Sequence, residues 1–316
     1  MAMFTAAGTY QGAALIREKY EAGFVDAVYR NNQLLGIKIG GRPLFPSRDS
    51  GGDTAIRWKV VSAGNTSVEI FTENQVQPTA VAQTWRSMAV NFVYFRAMIQ
   101  YTGHAVDAMR SNWVDGLAQE FELSEMDIRD LMTTTFLGST YGLEQIISAT
   151  TTYAGQARGS AAWWESSATT VSAALAYTHL VDLHETVRDN DKGGQVGLWM
   201  VPHNQLSNYA YLVGNPNTQN SSFNVEMGTG RGLDLGYNVN AMGCMGAPII
   251  PIGDMTNETW LAIDNRPGFM ELVIHRPFGL KKMAPSGDSD VFQVSTACAI
   301  AHKNPKTCGT LLSVTA

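Results

Sequence analysis

Residues 56–72, IRWKVVSAGNTSVEIFT, are two apolar-rich runs joined by Gly64-Asn65. Gly supplies the positive φ that a type II′ turn needs, so the pair predicts a two-residue hairpin loop. Counting outward from that turn sets Val61 opposite Val68 and Trp58 opposite Phe71. The two pairs fall on opposite faces of the ribbon, so both faces need cover. The flanks do not supply it: residues 42–53 are full of Gly, Pro, Ser and charge, and residues 72–83 are polar with Pro78. A lone two-stranded hairpin is marginal in water and leaves open ladder edges. What covers it decides how the chain is organised.

Composition narrows the choice. The chain of 316 residues can hold one large domain or two ordinary ones, with ample core either way. Charged residues make up 16%, against about 25% in soluble domains. A surface so poor in charge fits burial against other subunits, and equally a neutral-surfaced enzyme rich in Ser, Thr and Asn. The net charge of −6 is uneven, with +3 over residues 1–60 and −9 over the remainder. An acidic bulk argues against a general nucleic-acid binder, which would carry a basic stripe. Cys244, Cys298 and Cys308 form no CxxC pair, which excludes a zinc ribbon and fits a reduced compartment. Three N-x-S/T sequons, at Asn65, Asn220 and Asn257, are read as chance because nothing resembles a signal peptide. No run approaches the ~18 apolar residues of a membrane span. A soluble protein, cytoplasmic when made, is expected.

Along the chain, residues 1–12 read as an arm and residues 13–30 as a helix through Leu15, Tyr20, Phe24 and Val28. Residues 87–101, SMAVNFVYFRAMIQY, alternate in a pattern that predicts a strand buried on both faces. Residues 112–138 are the longest helix candidate, with Asn112 as N-cap and Gly138 just past the end. Leu117, Phe121, Ile128 and Leu131 mark its apolar stripe, while Glu120, Glu122, Asp127 and Asp130 are expected to stay wet. Further helices are predicted at 142–150, 178–189 and 203–213. Strands are predicted at 196–201, 247–252, 259–264, 269–276, 291–301 and 308–314, with a Gly- and Asn-rich loop at 214–240. The order is α+β, with no βαβ regularity.

No catalytic constellation emerges. His179 and His184 are five apart, so on a helix they point about 140° from each other and cannot share a metal. Residues 228–232, GTGRG, lack the strand before and helix after that a dinucleotide fingerprint needs. There is no GxSxG elbow, GxxxxGK[ST], HExxH or EF-hand pattern. No cofactor or metal is expected.

The order of the pieces resembles the major capsid protein of tailed bacteriophages. YRNNQLLGI (29–37) is similar to that family's N-terminal segment, and Gly51-Gly52 before TAIRWKV to the entry into its extended loop. The rod at 112–138 resembles its spine helix. GLEQIISATTTYAGQARGSAAWW (142–164) resembles its run of Gly, Arg and Trp. VGLWMVPHNQLSNY (196–209) and GAPIIPIGDM (246–255) look like two axial-domain elements. VSTACAIAHKNPKTCGTL (294–311) looks like the closing strands.

The resemblance implies an α+β tailed-phage major capsid fold: an N-terminal arm (1–40), an extended β-hairpin loop (41–88), a peripheral domain with spine helix (89–140), an axial domain (141–288) and closing peripheral strands (289–316). It implies a structural shell protein, not an enzyme, that self-assembles as hexamers and pentamers into an icosahedral shell around phage double-stranded DNA, without sequence-specific binding. A separate scaffolding protein, a portal protein and a decoration protein are implied partners, with no membrane. The location is the virion capsid, after assembly in host cytoplasm. Arg57, Trp58, Lys59, Val61, Val68 and Phe71 are the expected intersubunit contacts, and Leu117, Phe121, Ile128 and Leu131 the spine packing. Some members join subunits by a Lys–Asn isopeptide bond; Lys59 and Asn304 are not assigned that role. Two other readings remain: the shell of a host nanocompartment (encapsulin-like) holding an enzyme cargo, and a cytoplasmic enzyme of unknown chemistry with Trp163-Trp164 lining a pocket.

Overall fold

A computed structural model describes residues 33–39, 42–73, 75–102, 113–190, 194–213, 224–226, 239–240, 243–284 and 287–315. The expected arm at 1–12, the helix at 13–30, the Asn112 cap and the GTGRG stretch lie outside them. A one-turn helix, Gln33–Gly36, leads into β1 (Lys38–Ile39), β2 (Arg42–Pro43) and β3 (Ser47–Asp49). Gly51 and Gly52, at φ +65° and +93°, reverse the chain through backbone that residues with a Cβ avoid. Then come β4 (Ala55–Ala63), β5 (Thr84–Asn91) and β6 (Val93–Thr102). The helix Trp113–Leu137 follows, and a short turn of helix, Leu143–Ile146, leads to β7 (Ser167–Ala174). Helices Tyr177–Asn190 and His203–Val213 flank β8 (Leu198–Val201). The remaining strands are β9 (Asn224–Glu226), β10 (Val239–Asn240), β11 (Gly243–Cys244), β12 (Ala247–Pro251), β13 (Trp260–Ile263), β14 (Met270–Lys282), β15 (Ser289–His302) and β16 (Gly309–Thr315).

Four sheets result, in strand orders β10-β9-β1-β2, β3-β14-β15-β6, β11-β12-β8-β13-β16-β7, and the ribbon β4-β5. Two of the expected domain boundaries do not match this pairing. β14 falls within 141–288, yet it pairs with β15 over most of its length and with β3 in parallel. β16, expected among the closing strands of the other domain, instead lies between β13 and β7 in the six-stranded sheet. The chain therefore crosses between the sheets near both ends of the 270–308 segment. One apolar core runs through both, joining Phe95, Ile99 and Phe136 to Leu198, Ile250 and Cys308. A second cluster under the six-stranded sheet centres on Trp260, whose ring meets Trp199 at 6.1 Å and Tyr209 at 5.8 Å. Gln205 serves it from the helix, donating to the Val314 carbonyl at 2.7 Å and accepting from Trp260 Nε1 at 3.3 Å.

The long helix is one element of 25 residues, a rod of about 37 Å at ~1.5 Å per residue. It lies against β6 and β15. Its seam steps by four residues through Ile128, Met132 and Phe136, all buried, and Phe136 meets Phe95 edge-on at 5.9 Å. The expected stripe took a three-residue step from Ile128 to Leu131, which rotates Leu131 to the outside, where it is 53% exposed. Phe121 is half-buried against the core, and the side chain of Leu117 lies outside the described residues. Glu120, Glu122 and Asp130, expected wet, are half-buried, and only Asp127 is exposed. Burial, and then the charge of Asp127, raises the pKa of Glu120.

Because the helix covers one face of the sheet, β6 is not buried on both. Phe95, Ile99 and Tyr101 face the core, while Tyr94, Arg96 and Met98 are exposed. After the helix the chain doubles back so tightly that a Cβ at Gly142 would lie 2.4 Å from the carbonyl of Phe136. Phe136→Ala should cost the free subunit about 3–5 kcal/mol, Phe121→Ala less, and Leu131→Ala within about 0.5 kcal/mol. Urea unfolding of the three variants checks the order.

Candidate intersubunit surface

The expected two-residue turn at Gly64-Asn65 does not form: Gly64 is not at positive φ, and the chain turns instead at Thr66-Ser67 without closing a hairpin. The Asn65 carboxamide accepts from the Ser67 amide at 2.8 Å and from Ser67 Oγ at 2.5 Å, a local turn that opens a loop. The partner of β4 is β5, on the far side of residues 64–83, with Trp58 opposite Met88 and Val61 opposite Trp85. The expected pairs Val61–Val68 and Trp58–Phe71 are absent for that reason. Residues 84–91 win because Met88 and Val90 add apolar surface on the face shared with Ile56 and Trp58.

That face is covered by the subunit itself. Ile56 packs with Phe92, Val273, Ala299 and Ala301. Trp58 is half-buried, 6.4 Å from the ring of Tyr153, which stacks on Trp164 at 6.0 Å. Beneath them Arg158, fully buried, donates to the carbonyls of Ile146 at 2.6 Å and of Ser148. Its guanidinium sits over the Tyr153 ring at 5.3 Å, and burial lowers its pKa to about 10. The Tyr153 hydroxyl donates to the carbonyl of His302 at 3.1 Å and accepts from its amide at 2.8 Å. The run of Gly, Arg and Trp at 142–164 is thus the buttress under the ribbon.

The other ribbon face is bare. Arg57, Lys59 and Val61 lie on it with Trp85, all exposed. The loop beyond carries Val68 at 81% exposure, Ile70 at 99% and Phe71 at 75%. Ile70, Val76 and Trp85 share this exposed surface; a hairpin closed at Gly64 gives no sign of it, because it pairs residues 67–72 with β4 and leaves Trp85 outside the ribbon. Where the ribbon meets the closing segment lies a groove of about 510 Å³. Trp58, Val60, Val61 and Trp163 form its apolar walls, and Lys59, Lys303, Asn304 and Lys306 its polar rim. Lys303 reaches Glu271 at 3.4 Å, and Arg48 donates to the same carboxylate at 3.0 and 3.2 Å. Burial alone would raise the pKa of Glu271, but the Arg48 hydrogen bonds and the Lys303 charge outweigh it and hold it low.

No three His, Cys, Asp or Glu side chains gather as a metal-binding group among the described residues. Cys308 Sγ lies 3.5 Å from His302 Nε2, the spacing of a nucleophile and base. Both are fully buried, however, and burial pushes the thiol up to about 12 and the imidazole down to about 4. A thiol held protonated out of reach of solvent attacks nothing.

A long helix laid on a four-stranded sheet, a six-stranded sheet fused to it and a projecting ribbon define a tailed-phage capsid fold. The cyanophage A-1(L) capsid protein superposes with a TM-score of 0.63 at 13% identity, over 96% of this chain and 98% of that one. The capsid of Myoviridae phage XM1 gives 0.59 at 12%, over 98% and 100%. The SrpI encapsulin of Synechococcus elongatus PCC 7942 gives 0.54 at 12%, over 86% and 85%. No curated protein sequence matches the chain. Residues 59–315 match the family described as SU10 major capsid protein, and the chain belongs to that family. It is a structural protein of the virion that assembles with copies of itself into the capsid shell.

Two tests follow from the ribbon and its buttress. Trp58→Ala should lower the stability of the free subunit measurably, whereas Phe71→Ala should leave it within about 0.5 kcal/mol, both read by urea midpoint. Burial keeps His302 neutral down to about pH 4, while in the unfolded chain it takes a proton near pH 6.5, so the unfolded state binds more protons in between. Stability should therefore fall as pH drops through that window, and His302→Gln, which removes the titrating ring but keeps the backbone bonds to Tyr153, should flatten the slope.

Proposed function

We propose that each copy closes the shell by laying residues 64–83 over an adjoining copy. The observation that carries this is the loop itself: Val68, Ile70 and Phe71 are largely exposed and join no apolar cluster among the described residues. An exposed apolar patch on a loop is a contact waiting for a surface. One such contact is weak, but a closed shell repeats it at every subunit, and the gain is multiplied by valency. The six-stranded sheet with its two helices would act as the axial part, meeting its copies at the centres of hexamers and pentamers. The sheet carrying the long helix would act as the peripheral part.

The proposed content is double-stranded DNA held without sequence readout. A chain with net charge −6 offers DNA no general attraction, which suits a container that must be filled. A separate scaffolding protein, a portal protein at one vertex and a decoration protein are the proposed partners, with assembly in the host cytoplasm. The fold shared with the SrpI encapsulin favours one second reading, a nanocompartment with protein cargo. Nucleic acid or protein inside purified particles separates the two.

Replacing residues 65–83 by a short Gly-Ser link should leave circular dichroism nearly unchanged, because β4 and β5 keep their ladder and their cover. The same chain should sediment as subunits or small oligomers rather than shells. Shells of normal size from the shortened chain would overturn the role given to the loop.

A further inference from the structure

We propose that the loop lands in the groove between Trp58 and Trp163 of a neighbouring copy, with Phe71 between the indoles and Glu69 and Glu73 on the lysine rim. The inference rests on the shell reading above and names the receiving site within it. Residues 64–83 include two carboxylates, Glu69 and Glu73, and no Lys or Arg. The groove shows the reverse: three lysines on its rim and no carboxylate among its lining residues. Lys303 is engaged by Glu271, but Lys59 and Lys306 have no ion-pair partner among the described residues. The charges left over on the two surfaces are therefore equal in number and opposite in sign.

Shape agrees with charge. Glu69 and Glu73 stand two residues to either side of Phe71, and a turn holds the second of them, Gln75 N to Thr72 O at 2.9 Å. Inserting the ring brings one carboxylate to each flank, where the lysines are. A flat aromatic side chain between two indoles gains both buried area and edge or offset contacts. The loop does not fill its own chain's groove, since Ile70 and Phe71 are exposed.

Charge reversal tests the pairing under conditions in which the wild-type chain forms shells. Glu69, Glu73 and Lys59 are exposed and Lys306 half-buried without an ion-pair partner, so E69K/E73K and K59E/K306E should each keep the thermal midpoint of the free subunit. Each should lower the yield of sedimenting shells by about tenfold or more, because like charges then face each other. A chain carrying all four reversals should recover shells, and mixing the two double variants should give mixed oligomers that neither forms alone. That last result requires contact between copies. The competing landing site is the outer face of the four-stranded sheet, where Arg96 on β6 and Lys281 on β14 are both exposed. Loss of shells with R96E/K281E, and normal shells with K59E/K306E, would overturn the groove while leaving the shell role of the loop intact. Absence of shells from the wild-type chain in every setting would overturn both.

Discussion

A two-stranded ribbon has two faces, and a single chain here covers one. The covered face rests on an aromatic stack, Trp58 on Tyr153 on Trp164, pinned from below by Arg158 and from the side by the backbone of His302. That stack fixes where the ribbon leaves the body and which way its loop points. If the ribbon were free to swing, every copy would present its loop in a different place, and the proposed contact with an adjoining copy could not repeat. The rigidity of an otherwise marginal element thus comes from ordinary core packing at its root.

The sheets are coupled in a way that serves the same end. β14 and β15 belong to the sheet under the long helix, while β16, a few residues beyond β15, runs in the six-stranded sheet. The short connection at Pro305–Thr307 therefore ties the two, and Ser166 Oγ bridges to the Pro305 carbonyl at 2.8 Å from the buttress segment. Strain applied to one sheet passes through close-packed side chains to the other, so each copy resists bending as a unit.

Much of this was legible in the sequence because period and punctuation agreed with burial. Helices Tyr177–Asn190 and His203–Val213 came out nearly as written: Leu180, Leu183 and Val187 form a clean stripe, and Pro202 marks a start. The long helix came out to within a residue at each end, since it holds no Pro and its one glycine, Gly116, falls in the first turn. What failed was everything that depends on a partner distant in sequence. Asn65 has the chemistry of a turn, but whether a turn closes a hairpin depends on which strand competes for the ladder, and β5 competes better. Leu131 is as apolar as Met132, and only the position of β6 decides which of them faces inward. Val68 and Phe71 read as strand residues in the sequence but lie on an exposed loop, because exposure of an apolar side chain leaves no mark in composition. Pairing of β14 and β16 with different sheets is a fact of topology that no local pattern carries.

The cysteines have a practical consequence. Cys244, Cys298 and Cys308 are free and all buried, and burial raises all three thiols well above neutrality. The folded chain therefore presents alkylating reagents with almost no native thiolate, since reactivity follows thiolate and access. A cysteine placed at exposed Thr79 in the loop would be the one reactive thiol on each subunit. A dye or spin probe could then be attached at that single point, and the surface of an assembled particle mapped copy by copy without first removing any native residue.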